Sequence, residues 1–199
     1  MTEFFTDNFQ NGYWLPIILV ALLLTWFLVR LFRKDKSLSK ALDDIAYERI
    51  EGMLVPNSEG GEIQIDHLVL TAKGLLIVDV KDVKGTVFGS DKMEHWTCIA
   101  ENRQFKFNNP QTPLYDRIAA VHGLVNDIPI AGRVVFLEGA DFTKGVPSLV
   151  TSIDGLIEEF GVPDKEASQG RVEQFMPQWE LIYSASNALV TGRMVRKRP

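Results

Sequence analysis

Two acids, an amide and a lysine interrupt an otherwise apolar stretch, Glu62 to Gly85, with the sequence EIQIDHLVLTAKGLLIVDVKDVKG. They are Gln64, Asp66, Asp79 and Lys81. Carboxylates on a Leu/Ile/Val surface are costly unless they are paired or used, and this set suits a divalent cation. Mg²⁺ takes oxygen ligands, commonly one or two carboxylates with water and phosphate for the rest, and a nearby ammonium can hold or activate an attacking water. The same residue types also allow a plainer arrangement, a cross-strand salt bridge from Asp66 to Lys81 with Asp79 at a solvated edge.

The stretch reads as two strands, because apolar residues alternate on both sides of Lys73-Gly74 and Gly supplies the positive φ of a two-residue turn. A loop of those two residues puts Ala72 opposite Leu75, Asp66 opposite Lys81 and Leu68 opposite Asp79. Strand side chains alternate with a period of two, so Gln64, Asp66, Asp79 and Lys81 are expected on one face, with Asp79 diagonal to Asp66.

Asp66, twelve intervening residues and then Asp79-Val80-Lys81 on the next strand resemble the PD-(D/E)xK nuclease site. More narrowly, QIDHLVLTAKGLLIVDVKDVKG followed by Trp96 and Asn109-Pro110 resembles the nuclease-related domain (NERD) family, over residues 40 to 138. Asp66, His67, Gly74, Lys81, Gly85, Asn109 and Pro110 follow the family pattern. Gln64 stands where an acid is more usual, Asp79 where Glu is, and Pro113 near the place of a common Gln. The resemblance implies a restriction-endonuclease-like α/β core that hydrolyses phosphodiester bonds of nucleic acid with Mg²⁺ or Mn²⁺. Asp66 and Asp79 would ligate the metal with help from the Val80 carbonyl, and Lys81 would orient or deprotonate water. Gln64 would be a weaker ligand or water holder, and Glu48 or Glu51 could lean in from the first helix. The alternative is a non-catalytic module that keeps the fold and binds nucleic acid or a protein partner.

Around this hairpin, a helix is expected from Ser37 to Leu54, capped by Ser37 or Ser39, with Leu38, Leu42, Ile45, Arg49 and Met53 on one stripe. The loop Pro56 to Gly61 follows. Further strands are expected at Lys84 to Ser90, His95 to Glu101 and Arg103 to Phe107. Pro110 and Pro113 open a helix to Asn126, on which Leu114, Ile118, Val121 and Val125 recur at helical spacing. Gly132 to Glu138 reads as a strand. The order helix, three strands, helix, strand matches the core of the same nuclease fold. Beyond Asp141, helices are expected at Thr151 to Phe160 and Glu166 to Ser184, the second broken at Pro177.

Residues 13 to 32, YWLPIILVALLLTWFLVRLF, carry one charge, Arg30, and have about the 20 residues that cross a bilayer as a helix. Glu3 and Asp7 precede them, and Arg30, Arg33, Lys34 and Lys36 follow. That pattern favours an uncleaved anchor over a signal peptide, with the N-terminus outside and the rest cytoplasmic. The expected organisation is thus a short outer segment, 1–12, a transmembrane helix, 13–32, a nuclease-related core, 33–140, and a helical extension with a basic tail, 141–199. A single cysteine, Cys98, excludes an internal disulfide and a cysteine metal cluster. His67, His95 and His122 lack zinc spacing. Neither a phosphate-cradling Gly-rich loop nor a G-x-S-x-G elbow is present. Residues 41 to 192 hold 12 Lys and Arg against 23 Asp and Glu, which argues against a generally basic duplex-binding face, while Lys81, Lys84, Lys92, Arg103, Lys106 and Arg117 could form a local one around the site.

Overall fold

A computed structural model describes residues 18, 20, 38–57, 59–101 and 103–196, with side chains as far as residue 187. The chain divides into two compact units, residues 1–36 and 37–199. Of the apolar stretch 13–32 only Ile18 and Val20 are described, so the expected transmembrane helix lies outside the described residues. Among the described residues no helix is long and apolar enough to cross a membrane.

The second unit is α/β. Helix α1 (Leu38–Ile45) leads into β1 (Glu48–Pro56), β2 (Glu62–Thr71), β3 (Gly74–Lys81), β4 (Gly85–Phe88), β5 (His95–Ala100) and β6 (Arg103–Asn108). Then come α2 (Gln111–His122), β7 (Ile130–Phe136), two short strands β8 (Ala140–Asp141) and β9 (Val150–Thr151), α3 (Ile153–Phe160) and α4 (Lys165–Arg196). One sheet runs β1-β2-β3-β7-β9 and the other β6-β5-β4-β8. Strands β1 to β3 are antiparallel, whereas β7 returns parallel to β3 after the crossover through the second sheet and α2. Strand β3 is therefore interior, and its residues from Gly74 to Asp79 are all buried.

The first sheet separates two apolar layers. On one side Leu68, Leu70, Leu75 and Ile77 pack with Leu114 and Val121 of α2, Trp96 of the second sheet, and Val172, Trp179 and Ile182 of α4. On the other, Val69, Leu76, Val78 and Val135 pack with Leu42 and Ile45 of α1 and Leu156 and Phe160 of α3. Residues beyond Asp141 therefore complete the same unit. Lys165 ties its end to its beginning, donating from Nζ to the Asp43 and Ala46 carbonyls at 3.0 and 2.8 Å, which satisfies acceptors at the C-terminus of α1.

Two helix expectations are corrected. The helix expected over Ser37 to Leu54 ends at Ile45, and residues from Glu48 form β1 against β2. Leu38, Leu42 and Ile45 obey the helical stripe, but Gly52 interrupts it at φ +64°, and Ile50, Met53 and Val55 are taken up by the sheet's core. The break expected at Pro177 does not occur, since α4 runs through it. An interior proline costs about 3 kcal/mol, and burial of Val172, Trp179 and Ile182 on the two sides of Pro177 offsets it.

The hairpin register is also corrected. Thr71 pairs with Gly74 and Leu68 with Ile77, so the loop is Ala72-Lys73. Gly74, at φ +115°, opens β3 under the Pro129 carbonyl, which an added Cβ would approach to 2.3 Å. The shift is two residues, and an even shift keeps each side chain on its face. The last ladder pair is His67 with Val78, so Asp66 and Asp79 are the next residues along the two strands, just beyond the ladder. Asp66 is thus displaced from Lys81, its expected partner.

At that same step the period of two fails. Ile50 and Met53 on β1, and Ile65 and Leu68 on β2, all join the α2-side core although each pair is an odd number of residues apart. Strands β1 and β2 therefore change face at Gly52 and Asp66, and the end of the β1–β2 hairpin packs into the core that α2 shares. Gly52 has no heavy atom within 4 Å of a would-be Cβ, so its substitution tests the backbone alone. Gly52→Ala is expected to lower stability by about 1 to 2 kcal/mol, the cost of a left-handed residue, measured by chemical denaturation. An unchanged midpoint would remove the left-handed turn from this position.

Candidate functional site

Strand β3 ends in Asp79, Val80 and Lys81, paired in parallel with Val134, Val135 and Phe136 of β7. The parallel pairing buries the strand between two layers, and Asp79 is carried in with it, only 3% exposed. Val80 faces the opposite layer, where its side chain packs against the core with α1 and α3. Lys81 is half-buried. Among the described residues it has no ion-pair partner, so the expected salt bridge to Asp66 is not formed.

Helix α2 supplies the counter-ion. It lies close on β7 because Gly132 presents no side chain there: a Cβ would come within 2.7 Å of Ile118 and 2.9 Å of Leu114. Its start is pinned by a buried amide knot. Asn109 Nδ2 donates to the Met93 carbonyl at 2.9 Å, and Asn109 Oδ1 accepts from Gln111 N at 3.0 Å. Gln111 Nε2 donates to Asp91 Oδ1 at 3.1 Å, and its Oε1 accepts from Leu149 N at 2.9 Å. The Asn109-Pro110 motif thereby fixes the helix's axial position, and with it Arg117.

Arg117 Nη1 donates to Asp79 Oδ2 at 2.9 Å and Nε donates to the Gln64 carbonyl at 2.7 Å. The guanidinium bridges the end of β3 and the turned-over part of β2. Asp79 Oδ1, by contrast, is buried with no hydrogen-bond partner among the described residues. Burial pushes the Asp79 carboxyl above its ordinary range; Arg117 opposes this, Asp66 adds to it, and Lys81 and His67 oppose it. Asp66 and Lys81 thus each stand within electrostatic reach of Asp79.

The remaining sequence candidates do not gather there. Gln64 is exposed, because the turn at Asp66 breaks the alternation that had placed its amide beside the acids. What it brings to the site is its backbone carbonyl. Glu48 lies on β1 opposite Leu70, four residues from the position facing Asp66 and so roughly 13 Å along the strand. Glu51 is opposite His67, with its carboxylate 3.6 Å from His67 Nδ1. Arg117 was expected only as one of six basic residues around the site and not as the partner of Asp79, though it sits three residues after buried Leu114, a position that turns a side chain toward the sheet.

The donors fit a hard cation: two carboxylates, one with an oxygen lacking a partner, beside an ammonium. Among the described residues no group of three or more His, Cys, Asp or Glu is assembled for a metal; Asp66 and Asp79 are the two carboxylates at this place. Two clefts, of 580 and 640 Å³, lie elsewhere, the first beside Ile63 and Asp116 and the second beside Arg103 and Phe105.

The sequence model of the nuclease-related domain matches residues 32–137, which covers α1 through β7 and so every residue of the site. The chain is 30% identical over 102 residues to an uncharacterized protein of Bacillus anthracis. That match covers 51% of this chain and 48% of the relative, so the chain spans about half the length of the curated relative it matches. No solved structure matches.

Asp79 carries a pH prediction. Its folded-state pKa is raised, so the unfolded chain ionises first, and the native state loses stability as pH rises through the folded value. Asp79→Asn cannot ionise and is expected to melt above the parent at neutral pH, with the gap closing as pH falls through the raised pKa. Thermal melts across that range check it; a gap that widens on acidification would reverse the assignment.

Proposed function

This chain belongs to the nuclease-related domain family, and we propose on that ground that it is a divalent-cation-dependent nuclease with a restriction-endonuclease-like core. The observation that carries the reading is Asp79: a buried carboxylate with an unpartnered oxygen, in the field of Asp66 and Lys81, at the end of an interior strand. A fold tolerates such an acid at a cost, and a cation is what turns the cost into use.

Asp66 and Asp79 would hold Mg²⁺ or Mn²⁺, with the Val80 carbonyl as a further donor. Bound there, the ion would stabilise charge on a scissile phosphate and lower the pKa of water. Lys81, without a carboxylate partner among the described residues, orients the attacking water and takes part in its deprotonation. Asp66 is half-buried and marks the open side of the site. Nucleic acid is the proposed substrate, its phosphodiester reaching the site from the side of half-buried Asp66. We assign residues 13–32 as a membrane anchor that holds the domain on the cytoplasmic side.

A second reading has its own observation. Arg117 already satisfies Asp79 Oδ2, as in a module that keeps the fold and binds nucleic acid or a protein without cleaving. The two readings separate on the purified protein. The nuclease reading expects Mg²⁺- or Mn²⁺-dependent cleavage that falls by at least about a hundredfold in Lys81→Ala, with the parent's circular dichroism retained. Cleavage that survives this change, or salt-sensitive nucleic-acid retention without cleavage and indifferent to Asp79→Ala, would favour the module.

A further inference from the structure

The Arg117 guanidinium meets Asp79 and the Gln64 carbonyl by two separate bonds, Nη1 to Oδ2 and Nε to O, at 2.9 and 2.7 Å. The first bond is a charge pair to an almost fully buried acid; the second is an anchor to backbone on another strand. Removing the first leaves the second in place, with Arg117 held at the site and one edge of its fork released. The pair itself is 18% and 4% exposed, so water does little to screen it.

We propose that Arg117 is a placeholder cation, holding Asp79 in the absence of metal, yielding the carboxylate to a divalent ion, and then presenting its freed edge to a phosphate of the substrate. The assignment rests on the nuclease reading of the site. Two observations and one electrostatic constraint carry it. Asp79 has one oxygen bound by Arg117 and the other without a partner among the described residues, so the acid is half committed. A second positive charge brought to Asp79 must compete with the guanidinium at short range. The Gln64 anchor keeps Arg117 from leaving, and a planar guanidinium with free N–H groups matches phosphate oxygens.

The two halves of this role have opposite signs, which a merely structural arginine would not produce. In Arg117→Gln of the full chain, Mn²⁺ alone is expected to bind about tenfold tighter or more than in the parent, read by calorimetry and by loss of the free-ion paramagnetic resonance signal. With Mn²⁺ saturating both proteins, inorganic phosphate is expected to bind about tenfold more weakly. Arg117→Lys, which keeps the charge but not the fork, is expected to leave Mn²⁺ affinity near the parent's and still lose phosphate, and it decides the matter should the Gln variant not fold. If the parent takes Mn²⁺ through Asp79 but Arg117→Gln binds it no more tightly, or phosphate is unaffected, the placeholder role is overturned and the nuclease reading stands. If neither parent nor variants take Mn²⁺, both are overturned.

Discussion

A carboxylate at the end of a strand buried on both faces has to be compensated, and in this protein one arginine does it. Parallel pairing with β7 forces β3 into the interior, and Asp79 goes with it. Arg117 answers from α2, and its second bond draws in the backbone of β2. The position of α2 is in turn set at both levels of packing: Gly132 lets the helix lie close to the strand, and the Asn109 and Gln111 amides stop it from sliding. The electrostatic demand of a single acid therefore explains features that are otherwise unrelated.

Much of this was legible from residue types. The hairpin alternates clearly, the α2 stripe of Leu114, Ile118 and Val121 is unambiguous, and Asp66, Asp79 and Lys81 stand out because acids and lysine are rare in such apolar surroundings. The parity argument survived a wrong turn, since displacing the loop from Lys73-Gly74 to Ala72-Lys73 moved the pairing by an even number. The motif Asn109-Pro110 was visible as a signature but not as a mechanical part, because Met93, which accepts from Asn109, and Leu149, which donates to Gln111, are remote in sequence.

Other parts were hidden for identifiable reasons. A stripe test cannot distinguish a helix that continues from one that yields to a strand when both bury residues such as Ile50 and Met53, and Gly52 was the sign that it yields. Alternation counted through Asp66 assumed a flat ribbon, so Gln64 was assigned its side chain's role and proved to act through its carbonyl. Arg117 was one of six basic residues that could surround the site, with nothing in the sequence to single it out. Only the closeness of helix to sheet, decided by a glycine fifteen residues later, turns it inward.

Arg117 joins the site from 38 and 53 residues away in the chain, and local structure alone does not bring it there. The hairpin can bring Asp66, Asp79 and Lys81 near one another by local pairing, but a nascent chain or a fragment without α2 lacks the arginine that compensates the buried acid. For a protein with a proposed capacity to cut nucleic acid, such dependence on the finished topology acts as a safeguard, confining any hydrolytic power to molecules that have passed the last step of their own folding.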